Sequence, residues 1–153
     1  GEAAQAEKNH PVVLCHLANH AFYVGFEDSA GAAKGGSLPA PWELALGMLQ
    51  RAVASSRSDQ VRAEAHYQLG RLEHARGRYD KALEDYRKCY DLSPEHYACA
   101  YGLAQVYVQQ QKFREAIPLL EVMQTVRSDM PEVLKLLCFA YMMVGDKAKE
   151  AAK

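Results

Sequence analysis

The chain has 153 residues, with 18 Lys and Arg against 19 Asp and Glu, so its formal net charge is −1. Hydrophobic residues make up 49% and charged residues 24%, a balance that argues against a disordered chain and suits one domain with a real core. Neutrality removes the basic excess that a nucleic-acid module needs, and the longest apolar run, Leu136 to Val144, has nine residues, about half of a membrane span of roughly 18–20.

Residues 1–10 read as an N-terminal tail, and no basic region followed by an apolar core and cleavage site is visible in the first thirty. Pro11 to Val24 reads as a helix, with Leu14, Leu17 and Ala18 on its inner face. Phe26 to Pro41 is rich in Gly, Ala, Ser and Pro and reads as a flexible insertion, 26–41. Trp42 to Ser55 reads as a second helix, with Ala45, Leu49 and Ala52 turned inward. Together, 11–57 form one degenerate helix-pair unit. Units 63–96 and 97–130 follow, then an incomplete one at 131–153. A stack that stops inside a unit without a polar cap reads as a fragment of a longer chain.

These units repeat every 34 residues. Leu69, Leu103 and Leu137 share one column, and the small residues Gly70, Ala104 and Cys138 share the next. Tyr107 and Tyr141 form a third column, Tyr79 and Phe113 a fourth, Ala82 and Ala116 a fifth. Small residues let two helices approach, and the large ones fill the remaining space. This is the tetratricopeptide (TPR) pattern. It predicts an all-α, right-handed solenoid of antiparallel helix pairs, in which neighbours stack because no single pair can bury its own apolar face.

Punctuation supports the units. Pro11, Pro41, Pro94 and Pro131 fit first helical turns, with Ser93 as an N-cap before Pro94 and Glu43, Glu95 and Glu132 near positive helix ends. Gly25, Gly77 and Gly145 fit the turn that ends each first helix in a left-handed residue. Gln111 takes that place in the middle unit, where it is less comfortable. Pro118 falls early in its helix, where it would bend it.

Little in the chain suggests catalysis. His16 and His20 lie four apart on a helix but lack the Glu of H-E-x-x-H and a third ligand, so packing and hydrogen bonding are the expected roles. His66 reads as a partly buried, hydrogen-bonded imidazole. Gly31 to Ser37 lacks the order of a phosphate loop and reads as linker. Arg71, Arg76, Arg78 and Lys81 interleave with Glu73, Asp80, Glu84 and Asp85 and read as a solvated charged face. None of Cys15, Cys89, Cys99 and Cys138 forms a C-x-x-C pair. They read as reduced thiols of an intracellular chain, with Cys89 and Cys138 as inert core and Cys15 nearer the surface. No catalytic residue, metal, cofactor or small-molecule substrate is expected.

A binding surface remains. The first helix of each unit lines the concave side of a TPR stack. The facing positions are Asn19, Phe22 and Tyr23, then Tyr67, Arg71 and His74. They continue with Tyr101, Gln105 and Gln109, then Lys135, Phe139 and Met142. Tyr, Arg, Phe and Met are residue types that interface anchors favour. The carboxylate clamp of chaperone adaptors is absent: Asn19 fits one clamp column, but Cys15, Gln68, Ala98 and Gly102 stand where its other polar and basic groups belong.

Pro11-Val-Val-Leu-Cys-His-Leu-Ala-Asn-His20-Ala-Phe22, with Ala63-Glu-Ala-His-Tyr-Gln-Leu-Gly-Arg71 and Tyr101-Gly-Leu-Ala-Gln-Val-Tyr107, resembles the large TPR subunits of the RNA polymerase II-associated factor (PAF) complex. The resemblance implies a nuclear, non-enzymatic scaffold that holds sister subunits through an extended or helical segment. It would support transcription elongation and co-transcriptional histone modification. The alternatives are the substrate-docking or regulatory TPR array of an enzyme, or a general peptide-binding adaptor.

Overall fold

The computed structural model describes residues 10–29 and 40–151, with side chains described for 10–25 and 40–145. Among the described residues there are seven helices and no strand: α1 (Pro11–Ser29), α2 (Ala40–Ser55), α3 (Asp59–Ala75), α4 (Tyr79–Leu92), α5 (Tyr97–Gln109), α6 (Phe113–Val126) and α7 (Pro131–Ala151). Each helix packs on the next, and α1, α3, α5 and α7 also touch one another in series. The result is an all-α TPR-type solenoid of antiparallel pairs.

The 34-residue register is physical. Tyr79 and Phe113 open α4 and α6, and Tyr97 and Pro131 open α5 and α7, each pair 34 residues apart. Leu69, Leu103 and Leu137 are all buried, as are Ala82, Ala104 and Ala116. The same turn closes α3 and α5. Gly77 N–H donates to His74 O (3.0 Å) and Arg78 N–H to Glu73 O (2.9 Å). Gln111 N–H donates to Val108 O (3.0 Å) and Lys112 N–H to Tyr107 O (2.7 Å). Both turns need a left-handed residue. Gly77 supplies φ +77° without cost, whereas Gln111 is held at φ +62° with a Cβ in place.

Several expectations are corrected. Pro94 does not open a helix: Ser93 caps the end of α4, and His96 is the N-cap of α5. Glu95 therefore lies in the turn. The α3 helix starts four residues before Ala63, because Ser58 sits in extended backbone and its hydroxyl accepts from Val61 N–H. Gly25 lies inside α1, where an added Cβ would stand 2.2 Å from Trp42 Cδ1. It is small to admit Trp42, whose Nε1–H donates to Phe22 O at 2.8 Å while its ring stacks on Phe22. Gly145 lies inside a continuous α7, so no turn divides 131–151 into two helices. Of the expected insertion, 26–29 continue α1 and 40–41 open α2. Residues 30–39, and 1–9 of the expected tail, lie outside the described residues.

Column membership did not always bring burial. Leu17, Cys138 and Tyr141 are exposed, while Leu14, Ala18, Ala45, Leu49 and Ala52 are buried as expected. Cys15 is buried rather than exposed. His16 and His20 are both exposed and not packed. Glu73 is buried within the expected solvated face, where it pairs with Arg76 at 3.0 Å and Arg78 at 3.5 Å. His66 is half-buried and meets Asp85 at 3.2 Å, as its column implies. No described helix is long and apolar enough to cross a membrane.

Candidate functional site

The packing of α3, α4 and α5 is organised around one buried ring. Tyr86, from α4, reaches between α3 and α5 and is only 2% exposed. Gly70 and Gly102 make that possible: an added Cβ would stand 2.6 Å from Tyr86 Cδ1 at Gly70 and 2.8 Å from Cζ at Gly102. Tyr67 packs beside the ring at 6.2 Å, and the Tyr86 hydroxyl lies 3.5 Å from His74 Nδ1. Burial pushes the Tyr86 hydroxyl far above its ordinary value.

Arg71 ties the first two units together. Its Nη2 donates to Asn19 Oδ1 at 2.7 Å, and Nη1 lies 3.4 Å from Tyr23 Oη. Its guanidinium lies 4.2 Å from the centroid of Phe22, with Tyr23 and Tyr67 at 5.2 and 5.6 Å. One turn along, His74 Nε2 meets Gln109 Oε1 at 2.7 Å, which links α3 to α5.

Glu64 closes the upper end of this face. Its Oε2 meets His96 Nε2 at 2.9 Å and its Oε1 accepts from Gln68 Nε2 at 2.9 Å. Burial alone would raise its carboxyl. Hydrogen bonds from His96 and Gln68 and the charges of His96 and Arg71 outweigh that, so the group lies below its ordinary value.

The expected groove residues divide into three sets. Phe22 is buried under Arg71 and beside Trp42, so it supports the surface from below. Asn19, Tyr67, Arg71, His74, Tyr101 and Gln105 are half-buried, and Asn19 and Tyr67 brace Arg71. Tyr23, Gln109, Lys135, Phe139 and Met142 are exposed. Phe139 stands edge-on to Phe113 at 6.0 Å, fixing its ring from one side. The face therefore offers aromatic and thioether surface flanked by amide, imidazole and cationic groups. Those are the residue types that interface anchors favour.

Gly102 and Tyr86 were missed from sequence. The signal was present: Gly70 and Gly102 both stand four residues or fewer from the repeat's Leu columns, and a large aromatic on the intervening helix has to go somewhere. Cys89 and Cys99, read as separate reduced thiols, are joined as a disulfide with Cα atoms 6.1 Å apart. That corrects the reduced reading, and the cysteines cease to argue for an intracellular chain.

Two family models, both described as Tetratricopeptide repeat, match residues 42–97 and 73–137. Together they run from 42 to 137, well over half of the chain. The chain is also 30% identical, over 154 aligned positions, to the RNA polymerase-associated protein CTR9 of Caenorhabditis elegans. The alignment covers 99% of this chain and 12% of that protein.

Proposed function

This chain belongs to the tetratricopeptide-repeat family, and from that premise we propose that it is a non-enzymatic scaffold of a nuclear RNA polymerase II-associated elongation complex. Its concave face holds an extended or helical segment of a sister subunit. The observation that carries this reading is the Arg71–Asn19 contact at 2.7 Å. It joins two stretches of the PAF-subunit resemblance, Leu17-Ala-Asn-His20 and Gln68-Leu-Gly-Arg71, into one braced surface. The similarity to an RNA polymerase-associated protein along 99% of the chain supports the same assignment.

A segment lying in the groove buries Tyr101, Phe139 and Met142, which supply apolar area, while Gln105, Gln109 and Lys135 meet its backbone. Salt dependence is moderate, because the chain is nearly neutral. The test is affinity capture from nuclear extract with wild type and a Tyr101→Ala/Phe139→Ala variant. Polymerase-associated subunits are expected with wild type and depleted with the variant. Their absence from the wild-type eluate would refute the elongation-complex assignment; equal capture by both would refute the groove.

A further inference from the structure

The turn between α4 and α5 gathers three metal-ligand types. Cys89 lies in the last turn of α4, His96 caps α5, and Cys99 lies in its first turn. Their ligand atoms all lie within 4.8 Å of one another. Both sulfurs belong to side chains with no exposed surface, whereas His96 is partly open to solvent.

The turn is held by its own backbone. Ser93 N–H donates to Cys89 O at 2.9 Å, His96 N–H to Ser93 O at 3.0 Å, and Cys99 N–H to His96 O at 3.2 Å. His96 is oriented from outside: its Nε2 faces Glu64 Oε2 at 2.9 Å, and Gln68 fixes the other carboxylate oxygen. A carboxylate that accepts from one imidazole nitrogen leaves the other nitrogen as a lone-pair donor, the outer arrangement of many metal-bound histidines. Tyr67 backs the His96 ring at 5.3 Å.

We propose that, once the Cys89–Cys99 disulfide is reduced, Cys89, Cys99 and His96 bind one Zn2+ ion, with Glu64 orienting His96. The spacing, Cys-x6-His-x2-Cys, is compact and comes from a single turn. Two thiolates and one imidazole suit a borderline-soft, four-coordinate cation, and water on the open His96 side completes the set. Charge favours it as well. Two thiolates balance the dication, so the buried group carries no net charge, whereas two bare buried thiolates would be costly.

The chemistry balances with a water-soluble phosphine as reductant. Phosphine, water and the disulfide give two thiols and the phosphine oxide, the phosphorus being oxidised and the sulfurs reduced. Zinc then displaces both thiol protons into solvent and forms two Zn–S bonds.

The test uses the chain reduced with phosphine without oxygen, exposed to zinc chloride and desalted. Element analysis is expected to give one zinc per chain, with two protons released to a pH indicator. Oxidised chain takes up none. Cys89→Ser/Cys99→Ser loses the zinc while Cys15→Ser/Cys138→Ser keeps it, and Glu64→Gln binds roughly 10–100-fold more weakly. Co2+ with reduced wild type gives a second readout that needs no variant, thiolate-to-cobalt charge-transfer absorption. Absence of both zinc and that band in reduced wild type would overturn the proposal, and so would stoichiometric zinc retained by the Cys89→Ser/Cys99→Ser variant.

Discussion

Arg71 Nη2 donates a 2.7 Å hydrogen bond to Asn19 Oδ1, across 52 residues of sequence and from α3 to α1. The same guanidinium lies 4.2 Å from the centroid of Phe22. A planar, delocalised cation stacks on the ring while its in-plane N–H groups donate, a geometry that a compact ammonium does not reproduce. Arg71→Lys should therefore lose about 1–2 kcal/mol in urea unfolding despite keeping its charge. A double-mutant cycle of Arg71→Ala with Asn19→Ala should show coupling of at least about 0.5 kcal/mol. Additive effects would mean that the contact does not hold the first two units together.

Gly70 and Gly102 face Tyr86 from α3 and α5, at 2.6 and 2.8 Å for an added Cβ. Helix propensity alone would make Gly→Ala stabilising by up to about 1 kcal/mol. The close approach to a buried ring reverses the sign, and Gly102→Ala should cost about 1–3 kcal/mol. Gly145 offers the control, because nothing lies within 4 Å of its added Cβ in α7. Gly145→Ala should be neutral or stabilising by up to about 1 kcal/mol in thermal unfolding.

Gln111 occupies the left-handed position that Gly77 fills one repeat earlier. A non-glycine residue there costs roughly 1–2 kcal/mol. Gln111→Gly should raise the unfolding free energy by about 1 kcal/mol without altering helix content by circular dichroism. A loss of stability would mean that the amide side chain makes a contact worth more than the strain.

Burial, followed by the charge of Glu64, pushes the Cys15 thiol from 9.0 up to about 11. At a pH below both values the folded chain then holds roughly 100-fold less thiolate at Cys15 than the unfolded chain. Iodoacetamide at pH 8 should label exposed Cys138 well before Cys15, as read by peptide mass mapping. The sign for stability follows. A raised thiol pKa leaves stability whole below pH 9 and lowers it as pH climbs from 9 towards 11, because the unfolded chain ionises first. Cys15→Ser should flatten that alkaline decline.

Much of the fold was legible because the repeat constrains many columns at once. Leu69, Leu103 and Leu137 had to share an environment, and they do. The errors fall where the pattern is local. Gly25 looked like a turn, but its reason is Trp42 from the next helix, and no local rule reports that contact. Tyr141 and Cys138 sit in core columns yet are exposed, since burial in a stacked repeat depends on the neighbour that covers it. On the concave face, residue types were legible but bracing was not. Phe22 looked like a contact and turned out to be a support, because Arg71 arrives from 49 positions downstream to cover it. Cys89, His96 and Cys99 escaped notice because no short-spaced cysteine pair advertises them; the α4–α5 turn brings them together.

The central claim is that the concave face grips a segment of a polymerase-associated subunit. Site-specific photo-crosslinking tests it most directly. A photo-reactive phenylalanine analogue is placed at Tyr101 or Phe139 and, as a control outside the expected groove residues, at exposed Val122 of α6. After irradiation in nuclear extract, the first two positions should give cross-links to an elongation-complex subunit, and Val122 should give none. Cross-links from Val122 alone, or none to that complex from Tyr101 and Phe139, would contradict the account.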